Sequence, residues 1–151
     1  MVNGKNRSIW KSAFFVVAQF ACLGYLFLSG PFLADSSLLL GVEAAGILLG
    51  VWAVVTMRIG HFNIAPDPLA WSKLVNRGPY SFIRHPMYLA LLLMTLPLVL
   101  AYFSIPRALV WVGLLLTLLI KLNYEEKLLA SSLPAYAGYA RRTARLIPGL
   151  Y

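Results

Sequence analysis

The chain has 151 residues, enough for one domain; it is 60% hydrophobic, only 12% charged, and carries a net charge of +8, with a mean hydropathy of +0.76. Charged residues ordinarily make up about a quarter of a soluble domain, and a soluble fold of this size cannot hide so much apolar surface, so an integral membrane protein is expected. Cys22 is the sole cysteine, which excludes an internal disulfide and the multi-cysteine metal patterns.

Lys5, Arg7 and Lys11 open the chain before an apolar run from 12 to 33. That run is too long for the hydrophobic region of a signal peptide, and further apolar segments follow, so it reads as an uncleaved first span. A second span is expected over 37–57, a third over 86–103 and a fourth over 106–126, each near the roughly 20 residues needed to cross the hydrocarbon. "YFSIPR" (102–107) is a tight connection in which Pro106 suits the first turn of the next helix, so the last two spans form an antiparallel hairpin. Twelve of the thirteen Lys and Arg residues then share one side, and only Arg107 falls on the other, with Asp35. The excess of basic residues makes that side cytoplasmic, with both termini on it. The charge is accounted for by topology and by anionic headgroups, so no nucleic-acid partner is expected.

"RGPYSFIRHPMY" (77–88) separates the second and third spans. Gly78 and Pro79 read as a turn, and His85 before Pro86 fits the cap of the third span. Tyr80, Phe82 and Tyr88 read either as an interfacial aromatic belt or as pocket walls for a flat ring. With the hairpin apex at Ile105, His85 lies 20 residues before it and Glu125 20 after it. Both arms are about 30 Å long, so "IRHPMY" and "NYEEKLL" should meet at one depth, at the cytoplasmic boundary. Glu125 and Glu126 are two of only five acidic residues. They point about 100° apart, so at least one is expected to face the hairpin partner, where Arg84 or His85 neutralises it; the alternative is an interfacial ion pair anchoring the helix end. Lys121 and Glu125 are expected to form an exposed pair of a few tenths of a kcal/mol. Glu43 is an intramembrane acid with no partner visible in the sequence, near enough to the edge to snorkel. Beyond Pro134, residues 135–145 read as a short basic amphipathic helix on the cytoplasmic face, either an anchor or a lid over the hairpin.

"LVNRGPYSFIRHPMYLALLL", "EEKLL" and "YAGYARRTARLIP", in that order, resemble the isoprenylcysteine carboxyl methyltransferase and phospholipid methyltransferase group of integral membrane enzymes. The likeness covers about residues 71–148. It implies S-adenosylmethionine as cofactor and a pocket formed by the blocks holding Arg84, His85, Pro86 and Tyr88 and the pair Glu125 and Glu126. It also implies that the block with Tyr136, Tyr139, Arg145 and Pro148 packs over the site. His85, Pro86, Tyr88, Glu125 and Glu126 are the implied cofactor-binding residues, with Tyr80 and Tyr139 as pocket walls. Arg84 and Glu126 are the implied catalytic pair, Arg84 holding the acids or steering an anionic group of the acceptor. Two departures stand out. Ala90 replaces the usual glycine two residues after the motif tyrosine and would narrow the approach to the cofactor. Lys121 replaces the usual arginine before the acidic pair, losing a bidentate fork.

The expectation is an all-α membrane fold of about four transmembrane helices, a single domain over 1–151, ending in a short amphipathic helix. The implied activity is S-adenosylmethionine-dependent methylation of an amphiphilic acceptor, a carboxylate such as a prenylcysteine or a lipid amine, at the cytoplasmic boundary. The membrane would be the plasma or inner membrane of a prokaryote or the endoplasmic reticulum of a eukaryote. The rival is a non-catalytic membrane protein that binds lipid or a partner and keeps the fold. No metal site is expected, and the sequence carries no signal for an oligomeric state.

Overall fold

The computed structural model describes residues 2–58 and 74–149, with side chains for Trp10 and from Ser12 onward except Arg58. Lys5, Arg7, Lys11, Arg58 and Lys73, which enter the charge count, lie outside the described side chains. Among the described residues the fold is all-helical. The long helices are α1 (Val2–Leu28), α2 (Ser37–Arg58), α3 (Pro86–Ala101) and α4 (Ile105–Ser132); a 3₁₀ turn (Gly78–Ser81) precedes α3, and α5 (Tyr136–Ala140) follows α4.

Proline and serine place the helix ends. Pro86 opens α3 with no N–H to leave unsatisfied. Ser104 caps α4 by accepting from the Arg107 backbone N–H. The first helix ends at Leu28, before Gly30 and Pro31, five residues short of the expected boundary, because Pro31 cannot continue the backbone ladder. At its other end α1 extends beyond the apolar run to Val2.

α1 runs antiparallel to α4, and α2 to α3, as contacts along their lengths show. On α1 and α4, Phe15 meets Tyr124, Gln19 meets Lys121 and Leu26 meets Arg107. On α2 and α3, a Cβ on Gly46 would stand 2.7 Å from the Met94 backbone nitrogen, so glycine there lets the two backbones close together. The core runs through Leu26, Leu92, Leu114, Leu118 and Leu122.

Only 17% of the most apolar window of α2 is buried although its mean hydropathy is 2.2. An apolar helix left open to this degree is suited to lipid rather than to water. By length and composition α2 and α4 can cross a membrane, whereas the apolar helices Ser12–Leu28 and Pro86–Ala101 are shorter.

The end distal to the "RHP" block is closed by two buried polar side chains. Arg107 is 3% exposed and donates to Leu26 O, Ser29 Oγ and Leu98 O. It thus holds carbonyls at the ends of α1 and α3, where a cation is favoured. Glu43 does not snorkel: it is 2% exposed and accepts from the Ala34 backbone N–H at 3.1 Å, fastening the α1–α2 connection.

Candidate functional site

The site lies at the other end, where α3 starts and α4 nears its end. Gly78 begins the turn that leads there. Its φ is +56°, and a Cβ would stand 2.7 Å from Thr56 Oγ1, so glycine is required both by conformation and by the close seat against α2. The turn buries Pro79 and Tyr80 and leaves Phe82 exposed.

Residues 82–85 link the turn to α3 and pair in parallel with the chain after α5. Ala144 N–H donates to Phe82 O, Arg84 N–H to Ala144 O and His85 N–H to Arg145 O, around a bridge between Ile83 and Ala144. The expected 135–145 helix is therefore only five residues long. Its second half instead satisfies the otherwise unpaired backbone that leads into α3. Leu146 anchors the end of this segment in the core.

Side chains tighten the seam. Arg84 Nε donates to Glu126 Oε1 at 2.7 Å, and its Nη1 donates to Ala140 O at 2.6 Å and to Thr143 O. Glu126 Oε2 meets Arg145 Nη2 at 3.0 Å. Glu125 accepts from Tyr88 OH at 2.6 Å. His85 stacks on Tyr88, with ring centroids 5.3 Å apart. Its nitrogens face Glu125 Oε2 at 3.6 Å and Glu126 Oε1 at 3.5 Å. Tyr139 OH donates to Tyr80 O. Pro86 is buried at the first position of α3, where its ring fixes the turn.

All the site residues expected from the sequence, Tyr80, Arg84, His85, Pro86, Tyr88, Glu125, Glu126 and Tyr139, thus gather around one buried polar cluster. Glu125 takes the Tyr88 hydroxyl and Glu126 the two arginines, while His85 lies between both acids.

The apex of the hairpin is the loop 102–104 rather than Ile105. The two motifs still meet because Cα–Cβ bonds tilt towards a helix N-terminus. Side chains on α3 lean away from the apex and those on α4 lean towards it, so the partners on α4 lie further along the sequence.

Lys121 is not half of an exposed pair. It is 4% exposed, donates to Gln19 Oε1 at 3.1 Å and sits 5.1 Å from the centroid of the Tyr88 ring. Gln19 was not expected at the site; a polar residue inside an apolar span was the signal that pointed to it. Ala90 lies about 200° round α3 from Tyr88, and a Cβ on Gly50 would touch its methyl at 3.4 Å. The extra carbon therefore fills the α2–α3 seam rather than the site.

Among the described residues here, the buried Tyr80 OH makes no hydrogen bond, while Tyr136 OH and His85 Nε2 face Glu126 without a close one. Burial is the first cause raising the phenols of Tyr80 and Tyr136 above the ordinary tyrosine range, and it pushes Tyr139 up to about 12. All three are neutral donors at physiological pH. Donors, cations and carboxylates thus converge in a water-poor space, and a buried hydroxyl left without a partner, as at Tyr80, is rare enough to mark a place where a polar ligand fits. No group of three or more His, Cys, Asp or Glu suited to a metal occurs among the described residues.

The chain is 38% identical over 85 residues to the cobalt-zinc-cadmium resistance protein CzcN of Cupriavidus metallidurans, covering 51% of this chain and 36% of that protein. It therefore spans about a third of the length of that curated relative. No solved structure matches. The phospholipid methyltransferase family matches residues 38–135, from the start of α2 to the start of α5. That stretch holds both halves of the polar cluster, and the chain belongs to this family of membrane methyltransferases.

Proposed function

We propose that this protein is an S-adenosylmethionine-dependent methyltransferase acting on an amphiphilic acceptor, a carboxylate or a lipid amine, at the cytoplasmic boundary of the membrane. The observation that carries the reading is the buried cluster of Arg84, His85 and Tyr88 with Glu125 and Glu126, beside which the buried Tyr80 OH has no partner. When bound, S-adenosylmethionine supplies a methyl group that an acceptor oxygen or nitrogen takes by displacement, the electron pair returning to sulfur.

The residues fit that cofactor. Glu125 and Glu126 suit its cationic and hydroxyl groups, while Arg84, Arg145 and the phenols of Tyr80 and Tyr136 suit its carboxylate. Arg84 serves the reaction by holding Glu126 and the C-terminal segment together, which keeps water from the site. Displacement by a carboxylate needs no proton transfer, so positioning and exclusion of water supply the rate, and effective molarities of about 10⁵ M or more are available from alignment alone. A four-span topology with both termini cytoplasmic puts the site where a soluble cofactor arrives from the cytosol and an apolar tail remains among the lipid chains.

Calorimetric titration of the purified protein in detergent with S-adenosylmethionine tests this directly. Saturable binding is expected, weakened by about 1–3 kcal/mol in His85→Ala, the cost of removing one buried hydrogen-bonding partner. Absence of binding to the folded wild-type chain would overturn the reading.

A further inference from the structure

A second feature lies outside the polar cluster. Between α1 and α4, on the outer surface at the same end of the bundle, runs an open groove of about 610 Å³. That volume is in the roughly 300–1,000 Å³ range of sites that hold small molecules. Its floor is formed by Phe14, Phe15 and Ile120, and Phe14 is 68% and Ile120 55% exposed. Trp10, 75% exposed, stands at the rim.

One face of α4 supplies the groove's polarity. Ile120, Asn123 and Lys127 follow each other at spacings of three and four, so they line up along that face. Towards the end of α4 the face changes from hydrocarbon to amide to ammonium. This is the order in which a phospholipid presents acyl chain, ester linkage and phosphate as it leaves the bilayer core.

The ammonium also lacks a carboxylate among the described residues. Glu126 is taken by Arg84 and Arg145, Glu125 by Tyr88 and His85, and Lys127 belongs to none of these pairs. Lys127 is one residue beyond the acidic pair and so lies at the membrane boundary, where basic side chains meet headgroups. Trp10 suits the same level. Asn123 Oδ1 accepts from Arg145 Nη1 at 3.2 Å, which leaves its amide nitrogen to donate to a phosphate or ester oxygen.

We propose that this groove binds an anionic phospholipid of the surrounding bilayer, with an acyl chain along Phe14, Phe15 and Ile120 and the phosphate at Lys127 and Asn123. The site is separate from the methyl-transfer cluster and stands whether or not the chain binds S-adenosylmethionine.

Trp10 gives the site its own reporter. The full-length protein would be reconstituted in phosphatidylcholine vesicles containing brominated phosphatidylglycerol or brominated phosphatidylcholine. Subtracting the fluorescence of Trp10→Phe isolates quenching at Trp10. Brominated phosphatidylglycerol should reach half-maximal quenching at about one fifth of the mole fraction needed by brominated phosphatidylcholine, the preference one basic side chain gives near a surface. Lys127→Gln should remove the preference, and Lys127→Arg should keep it. Arg142→Gln, an equal loss of charge outside the groove, should also keep it. Circular dichroism would establish that each variant is folded. Equal quenching by the two lipids in the wild type would overturn the proposal, as would a preference surviving Lys127→Gln or lost equally in Arg142→Gln. Trp10 insensitive to both lipids would overturn it in favour of a groove covered by protein, such as a second copy of the chain.

Discussion

Glu126→Gln is the sharpest test of what holds the C-terminal segment over the cluster. Glu126 joins Arg84 at 2.7 Å and Arg145 at 3.0 Å, with side-chain exposures of 9% for Arg84, 36% for Arg145 and 11% for Glu126 itself. Removing one partner of a buried pair costs about 3–5 kcal/mol because the other charge is left uncompensated. Glutamine retains an acceptor oxygen, and Arg84 keeps the carbonyls of Ala140 and Thr143, so the lower figure of about 3 kcal/mol applies. The pair with half-exposed Arg145 adds no more than about 1 kcal/mol. The loss falls on a seam whose amides can be read individually by hydrogen exchange. Those of Arg84, His85 and Ala144 donate across it, and a loss of about 3 kcal/mol should speed their exchange about a hundredfold. Arg145→Gln should speed them no more than about fivefold. Amides at Leu98 and Leu118, in the core, should be unchanged in both variants. Wild-type exchange at Arg84, His85 and Ala144 in Glu126→Gln would refute the reasoning and leave Leu146 and the backbone pairing as what holds the segment.

Gln19→Leu strands the Lys121 ammonium in an apolar interior and should cost about 2–4 kcal/mol, whereas Gln19→Leu with Lys121→Met should be nearly neutral. Denaturant titration of both variants checks this, and equal stability would show that the contact carries no energy. Gly78→Ala meets both a φ of +56° and Thr56 at 2.7 Å, whereas Gly149→Ala meets a φ of +80° with open space around it. The first should lower the melting temperature clearly more than the second, since only the backbone cost of about 1–2 kcal/mol is shared; equal losses would rule out the close seat on α2. Tyr139, at about 12, ionises later in the folded protein than in the unfolded chain. The stability it contributes is full below about pH 10 and lost as pH rises through 12. Phenolate absorbance should therefore show delayed ionisation that Tyr139→Phe reduces, and an unchanged titration in that variant would contradict the assignment.

The sequence revealed the helices because apolar runs and proline punctuation act locally. Pro86, Pro106 and the 102–107 connection placed the hairpin, and residue counting along its arms brought His85 to Glu125. Contacts made across the bundle were not legible in the same way. Lys121 looked like a surface partner for Glu125 at helical spacing, yet α1 covers it and Gln19 takes its proton donor. Glu43 had no visible partner because its partner is a backbone N–H, at Ala34, which leaves no trace in residue identity. The stretch 135–145 had the composition of an amphipathic helix. Its second half leaves the helix because the backbone of residues 82–85 needs hydrogen bonds, which Ala144 and Arg145 supply.

The first two helices hold none of the site residues expected from the sequence, yet they position the polar cluster at the end of the other two. Trp52 and Thr56 on α2 form the seat for Gly78, which sets where the turn delivers Tyr80 and Arg84. Gln19 on α1 fixes the Lys121 ammonium, and that charge lies by the face of the ring whose hydroxyl binds Glu125. A cation there stabilises electron density in the Tyr88 ring and fixes the ring's height through packing. The orientation of Glu125 therefore depends on a residue over a hundred positions away in sequence. Support of this kind asks only for a small residue at the α2 seat and an acceptor on α1. Many sequences meet those requirements, which explains how α1 and α2 can hold none of the expected site residues and still position the site.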